Sequence, residues 1–306
     1  MYTITRGITY TDLMHRGHAR VIATAVIQGP GGVALVDPGP SSCLATLRRA
    51  LKDHGIAVSD LRTLLLTHIH LDHAGSTGSL LKENPNITVF VHNRGAPHMI
   101  DPDKLLVSAK RLYGDAMDAL WGEFLPVPEA NIRSLRGGEQ IRVADRDLEV
   151  AYTPGHASHH ISYFDRASGI AFVGDAVGVR TGRALFVLPP TPPPDIDIEA
   201  WVDSVELIRR WQASTLFVTH FGPHEDPSAQ LDAMLTHLEA MKEMARKHVE
   251  VDGSDEDRKN GFVEDMRIYV QRHVPANEVF LYDRAAPLDQ CWLGLARYWR
   301  KRGVGV

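Results

Sequence analysis

Strand-length apolar runs recur along the first two thirds of the chain, and helical spacing of apolar positions takes over the last third. Val21 to Ile27 and Val33 to Val36 read as strands joined at Gly29-Pro30-Gly31-Gly32, a hairpin signal. Asp37-Pro38-Gly39-Pro40 stops the second strand, and Ser41 or Ser42 is placed to cap a helix reaching about Asp53. Leu61 to Leu66 and Thr88 to His92 read as further strands, and Pro102 to Trp121 as helix. Short β-type segments follow at Gln140 to Val143, Leu148 to Tyr152, His160 to Phe164 and Ile170 to Val173. Turn residues at Asp145, Pro154-Gly155 and Ser168-Gly169 separate them, the pattern of a meander with one buried face.

Pro189 to Pro194, prolines broken only by Thr191, predicts a stiff extended loop, with Asp195 or Asp197 capping the next element. Ile198, Trp201, Val202, Val205, Ile208 and Trp211 then recur at helical spacing, and Leu216 to Val218 is one more strand. From Pro227 the pattern is helical: Leu231, Met234, Leu235, Leu238 and Met241 mark a core-facing stripe. Asp252 to Asn260 reads as a solvated connector, and Phe262, Met266, Tyr269 and Val270 as another helical stripe.

Composition narrows the function classes. The chain has 306 residues, 44% hydrophobic and 23% charged, ordinary for a globular protein. Its net charge of −5 argues against a general nucleic-acid binder. No apolar stretch reaches the length of a membrane span, and Met1 to Arg6 lacks the apolar core of a signal peptide. Cys43 and Cys291, the only cysteines, show no metal-type spacing and read as packing residues. The expected setting is cytoplasmic, and the expected partner a small-molecule substrate, with no membrane or nucleic acid; self-association is left open.

The chemistry concentrates after Leu64-Leu65-Leu66, in Thr67-His68-Ile69-His70-Leu71-Asp72-His73-Ala74-Gly75. Three imidazoles and a carboxylate at one strand end need partners when buried, and a divalent cation satisfies them together. His68 and His70 point the same way in extended backbone and can grip one ion; Asp72 and His73 can reach a second. Three later residues also follow apparent strands: His156 after Tyr152, Asp175 after Val173 and His220 after Val218. Strand ends in layered folds converge on one edge. One metal would therefore take His68, His70 and His156, a second Asp72, His73 and His220, with Asp175 bridging.

This ordered set resembles the metallo-β-lactamase-fold superfamily of binuclear metallohydrolases over about Thr3 to Pro223. The stretch from Thr153 to Phe164 looks most like the glyoxalase II branch, which hydrolyses a glutathione thioester. The resemblance implies an α+β, four-layer αββα sandwich over 1–225 and a C-terminal helical region over 226–306. It also implies two divalent ions, zinc by default with iron or manganese as alternatives. The expected reaction is hydrolysis of a thioester, ester or lactone by a hydroxide shared between the ions, with Asp72 as the catalytic proton acceptor. Asp175 sets the chain apart from drug-hydrolysing zinc β-lactamases, which lack the bridging carboxylate. Rival readings are a mononuclear iron persulfide dioxygenase and a non-catalytic binder on the same fold.

Supporting roles for His160 and Arg183 follow the same resemblance, and that of Asp37 follows from its place at a strand end aimed at the same edge. His160 is expected to orient His156 or Asp175, Asp37 to support a ligand, and Arg183 to contact substrate. His159, His224 and His92 read as bystanders. The proline-rich loop and the C-terminal helices are expected to wall the pocket.

Overall fold

In the computed structural model, which describes residues 1–305, the strand-length runs pair into two sheets. The first is built in chain order from β1 (Tyr2–Thr5), β2 (Ile8–Asp12), β3 (Ala23–Gly29), β4 (Gly32–Val36), β5 (Leu61–Leu65), β6 (Thr88–His92) and β7 (Ile132–Leu135). It is antiparallel from β1 to β4 and parallel from β4 to β7. The second runs through β8 (Gln140–Val143), β9 (Arg146–Tyr152), β10 (Ile161–Asp165), β11 (Ile170–Phe172), β12 (Thr215–Val218) and β13 (Gly222–His224). All its pairs are antiparallel except β11 with β12.

Period-two alternation explains the layering. Ala25, Ile27, Val36 and Leu65 from the first sheet pack in one cluster with Val150, Tyr163, Phe172 and Phe217 from the second. The alternate residues Val26, Leu35, Leu64 and Val89 pack instead with Leu47, Leu51 and Leu80 of the outer helices Leu44–Asp53 and Thr77–Glu83. On the far side, Phe164, Leu216 and Val218 pack with Trp201 and Val205 of helix Ile198–Arg210. The result is the four-layer αββα sandwich with a C-terminal helical region.

Four helices complete the chain: Pro227–Glu250, Asp255–Gln271, Val279–Ala285 and Leu288–Arg300. They have no separate core, because Leu231, Met241, Phe262, Val270 and Trp292 join the cluster that holds Val173, Val177 and Trp201.

Several elements differ from the sequence reading. The polar stretch expected as a connector holds a helix start: the Ser254 hydroxyl accepts from Asp257 N at 3.1 Å, and the Asp257 carboxylate accepts from Ser254 N. Its charges mark a first helical turn. Ser41 and Ser42 cap nothing; their hydroxyls donate to the carbonyls of Gly75 and Leu120 instead. The Pro102 to Trp121 helix is split at Gly114 into Asp103–Tyr113 and Met117–Trp121. Asp197 is the cap of its helix, accepting from Ala200 N at 3.0 Å, while Asp195 accepts from Ser158 Oγ. Among the described residues, no helix is long and apolar enough to cross a membrane.

Candidate metal centre

Four strand ends meet at one edge of the sandwich. β5 runs out at Leu65 and delivers Thr67 to His73; the ends of β9, β11 and β12 deliver His156, Asp175 and His220. The seven side chains marked as ligands in the sequence lie together, in three overlapping groups whose donor atoms are within 4.8 Å of one another.

The first group is His68, His70 and His156. His70 Nδ1 is 3.0 Å from His68 Nε2 and 2.9 Å from His156 Nε2. The other nitrogen of His156 donates to the Pro190 carbonyl at 2.8 Å, so its inward nitrogen carries a lone pair. His68 Nδ1 lies 3.1 Å from Thr67 Oγ1, whose own proton goes to Asp37; that hydroxyl can only accept from His68. Lone pairs therefore converge, and at most one N–H, on His70, can lie among the three.

The second group is Asp72, His73 and His220. His220 donates from Nδ1 to the Val21 carbonyl at 2.6 Å, and His73 donates from Nδ1 to Asp37 at 2.8 Å. Their inward Nε2 atoms are buried without a hydrogen-bond partner, as is Asp175 Oδ1. Asp72 Oδ2 is 3.2 Å from His220 Nε2 and 3.8 Å from His73 Nε2. Asp175 straddles the two groups: Oδ1 lies 3.4 Å from His73 and 3.7 Å from His220, and Oδ2 lies 3.5 Å from His156. Buried polar atoms without hydrogen-bond partners are costly, and this donor set of imidazoles and carboxylates suits divalent cations.

Supporting contacts fix these orientations. Asp37 is fully buried and accepts from Thr67 N, Thr67 Oγ1, Thr219 Oγ1 and His73 Nδ1 at 2.7–2.8 Å. His160 accepts from Asp175 N at 3.2 Å, so its Nδ1 donates to Thr153 Oγ1 at 2.9 Å. Gly174 precedes Asp175 at φ +47, where an added Cβ would stand 2.4 Å from Thr67 Oγ1 and 2.8 Å from His160 Nε2. Only glycine lets β11 bring Asp175 this close.

Charge states follow from the surroundings. Burial, with the facing rings of His73, His70 and His156, pushes His68 well below the ordinary histidine value; burial, His156 and His159 do the same to His70. Burial also lowers His156, and Asp175 only partly offsets it. His73 goes the other way: burial opposes its charge, but Asp175, Asp72 and Asp37 outweigh that and hold it well above the usual range. His220 is raised by Asp175 and Asp72 against the same burial. Burial would raise Asp72 and Asp175, yet His73 and His220 hold both below the carboxylate range. The first group thus carries neutral imidazoles, the ligand form; at the second, a cation would replace protons.

A cavity of about 380 Å³ opens above the cluster, with His70, Asp72, His156 and Asp175 in its lining. The proline loop and the C-terminal helices wall it, together with helix Asp103–Tyr113. Arg183 is not part of it. That side chain is exposed beside His18, Asn277 and Phe280, because Gly182 N donates to Tyr282 and Arg183 N to Glu278, which turns the loop toward the outer helices. His159 is no remote bystander: its ring lines the cavity 5.6 Å from His70 and stacks toward His68 at 6.1 Å. His92 instead stacks on Tyr152 at 4.5 Å. Both cysteines are buried, and Cys291 also forms part of the cavity wall.

Residues 19–220 match the family model described as the metallo-beta-lactamase superfamily. A metallo-beta-lactamase fold-containing protein of Sulfurisphaera tokodaii is 27% identical over 189 residues, 60% of this chain and 67% of that protein. A hydroxyacylglutathione hydrolase of Aeromonas salmonicida is 28% identical over 58% of this chain and 51% of its own length. That of Legionella pneumophila is 28% identical over 48% and 43%. The chain thus spans about half the length of these hydrolases. Among solved structures, a metallo-beta-lactamase family protein from Thermus thermophilus superposes with a TM-score of 0.71 at 22% identity, covering 98% of this chain and 95% of that one.

Proposed function

The chain belongs to the metallo-beta-lactamase superfamily, and from that premise we propose that it is a metal-dependent hydrolase of a thioester, ester or lactone. The observation that carries this reading is Asp175, whose two oxygens face different imidazole groups. His68, His70 and His156 would hold one cation, and Asp72, His73 and His220 a second, with Asp175 shared. Divalent ions bound there, zinc by preference and iron or manganese as alternatives, would acidify a water and polarise a carbonyl. The hydroxyacylglutathione hydrolases among the relatives support a thioester.

The chain's own groups supply positioning and proton handling. Pro190 and Val21 carbonyls, Thr67 and Asp37 fix the outer nitrogens of four histidines, so that their ε-nitrogens stay aimed inward. Asp72 is partly exposed to the cavity and ionised, so it can take the attacking water's proton and pass it to the leaving group. Its depressed pKa makes it a weak base, which suits a brief relay rather than storage of the proton.

Elemental analysis of purified protein, followed by a hydrolase panel with and without chelator, tests this reading. Two ions per chain and chelator-sensitive turnover are expected. Asp72→Ala should lower turnover by roughly a hundredfold or more with an unchanged circular dichroism spectrum. One iron per chain with oxygen consumption, or a fully active Asp72→Ala protein, would overturn it.

A further inference from the structure

The cavity above the cluster narrows the substrate further, on the footing of the hydrolase reading. Leu105, Ala109 and Leu112 lie at i, i+4 and i+7 on helix Asp103–Tyr113 and line the cavity as one apolar stripe. Trp121, Pro192 and Ala286, from three other segments, complete an apolar wall. At about 380 Å³ the space fits a small ligand, near the lower end of the usual range. It is larger than an acetyl group needs.

Away from the cluster the polar lining is Ser108, Tyr113 and Gln290, with a rim whose charged groups are mostly basic. Lys104 and Arg284 both border the cavity and are exposed; among the described residues, neither has an ion-pair or hydrogen-bond partner. His98 shares that rim, and the one rim carboxylate, Asp195, is engaged by Ser158 Oγ at 2.6 Å. The two cations come from segments 180 residues apart, 104 and 284, brought to one opening by the fold. The floor, by contrast, carries the candidate ligands Asp72 and Asp175, so a substituent lying toward the mouth meets Lys104 and Arg284 instead.

We infer that the substrate is an acyl compound with an apolar acyl chain longer than acetyl and an anionic group that Lys104 and Arg284 meet at the rim. For a thioester, water adds to the carbonyl carbon and the C–S bond breaks. The acyl group leaves as a carboxylic acid, and the thiolate takes the remaining proton.

Four thioesters test both halves: acetyl and octanoyl esters of 3-mercaptopropionate, which is anionic, and of N-acetylcysteamine, which is neutral. With metal-loaded protein, octanoyl should exceed acetyl by roughly tenfold or more in kcat/KM. The anionic carrier should exceed the neutral one by about fivefold at low salt. That ratio should shrink toward one at about 0.5 M salt and in the Lys104→Gln/Arg284→Gln protein. Equal rates for acetyl and octanoyl, or a carrier preference that survives both substitutions, would overturn the inference. Calorimetry with the matching thioether analogues, which cannot be hydrolysed, separates it from the reading beneath. Binding with both preferences but no turnover would uphold the substrate class and remove the hydrolase; turnover without either preference would do the reverse.

Discussion

Nδ1 of His73 donates to Oδ2 of Asp37 at 2.8 Å, and that carboxylate also ties Thr67 and Thr219 to the base of the cluster. One buried acid thereby joins the end of β4 to the ends of β5 and β12. Asp37 also holds φ +50, a left-handed conformation that Asp tolerates better than most residues. Asp37→Ala would leave Thr67 N, two hydroxyls and an imidazole N–H without their acceptor. The expected cost is about 3 kcal/mol or more in urea unfolding. Metal affinity in competition titration should fall by roughly 10- to 100-fold. Wild-type values in both would remove Asp37 as a positioning residue.

His156 reaches the cluster from the second sheet, held by the Pro190 carbonyl. His156→Ala should lower the bound metal per chain, read by elemental analysis after dialysis, without disturbing the remaining ligands of the second group. Chelation of the intact protein should lower its thermal midpoint, since an ion bound only to the folded state stabilises it. Unchanged stoichiometry in the variant would take His156 off the ligand set.

Acid should destabilise the chelated protein before any carboxylate titrates. Burial, with Arg180 nearby, lowers His224 to about 4, and burial with His273 nearby lowers His237 to about 4. In the unfolded chain both return to about 6.5. Between those values the unfolded state binds the extra protons, so the contribution of these two rings to stability is complete above about 6.5 and drains away as pH falls toward 4. Urea midpoints should therefore be lower at about pH 5 than at about pH 7.5, and His237→Gln should narrow the difference. The raised His73 and His220 act with the opposite sign, so the comparison with the variant decides: a difference unchanged in His237→Gln would show that this ring does not stay neutral in the folded state.

The candidate cluster was readable in the chain because its side chains either crowd one strand end, as His68 to His73 do, or follow short apolar runs of their own. Glycine and proline punctuation exposed most strands of the sandwich. What stayed hidden has physical reasons. β1, β2, β7 and β13 interleave or replace apolar residues with Thr, Arg, Ser, Pro or His, and β1 has no buried residue, so their apolar patterns are weak. The helix opening at Asp255 starts with three acidic residues that favour its positive end, yet read alone as solvated chain. The resemblance places Arg183 against substrate, but the hydrogen bonds of its loop to Tyr282 and Glu278, which turn it away, involve residues some 95 to 100 positions later. Lys104, Arg284 and His159 carry no local signal at all; they become neighbours of the cluster only when three segments close over it.

The ligands descend from strand ends, whereas the enclosing walls come from helices and a proline segment lying outside both sheets. On the proposed reading, reaction and selectivity are consequently written on separate parts of the polypeptide. Exchanging the outer segments would redirect the protein to other molecules while the cluster of imidazoles and carboxylates stays as it is.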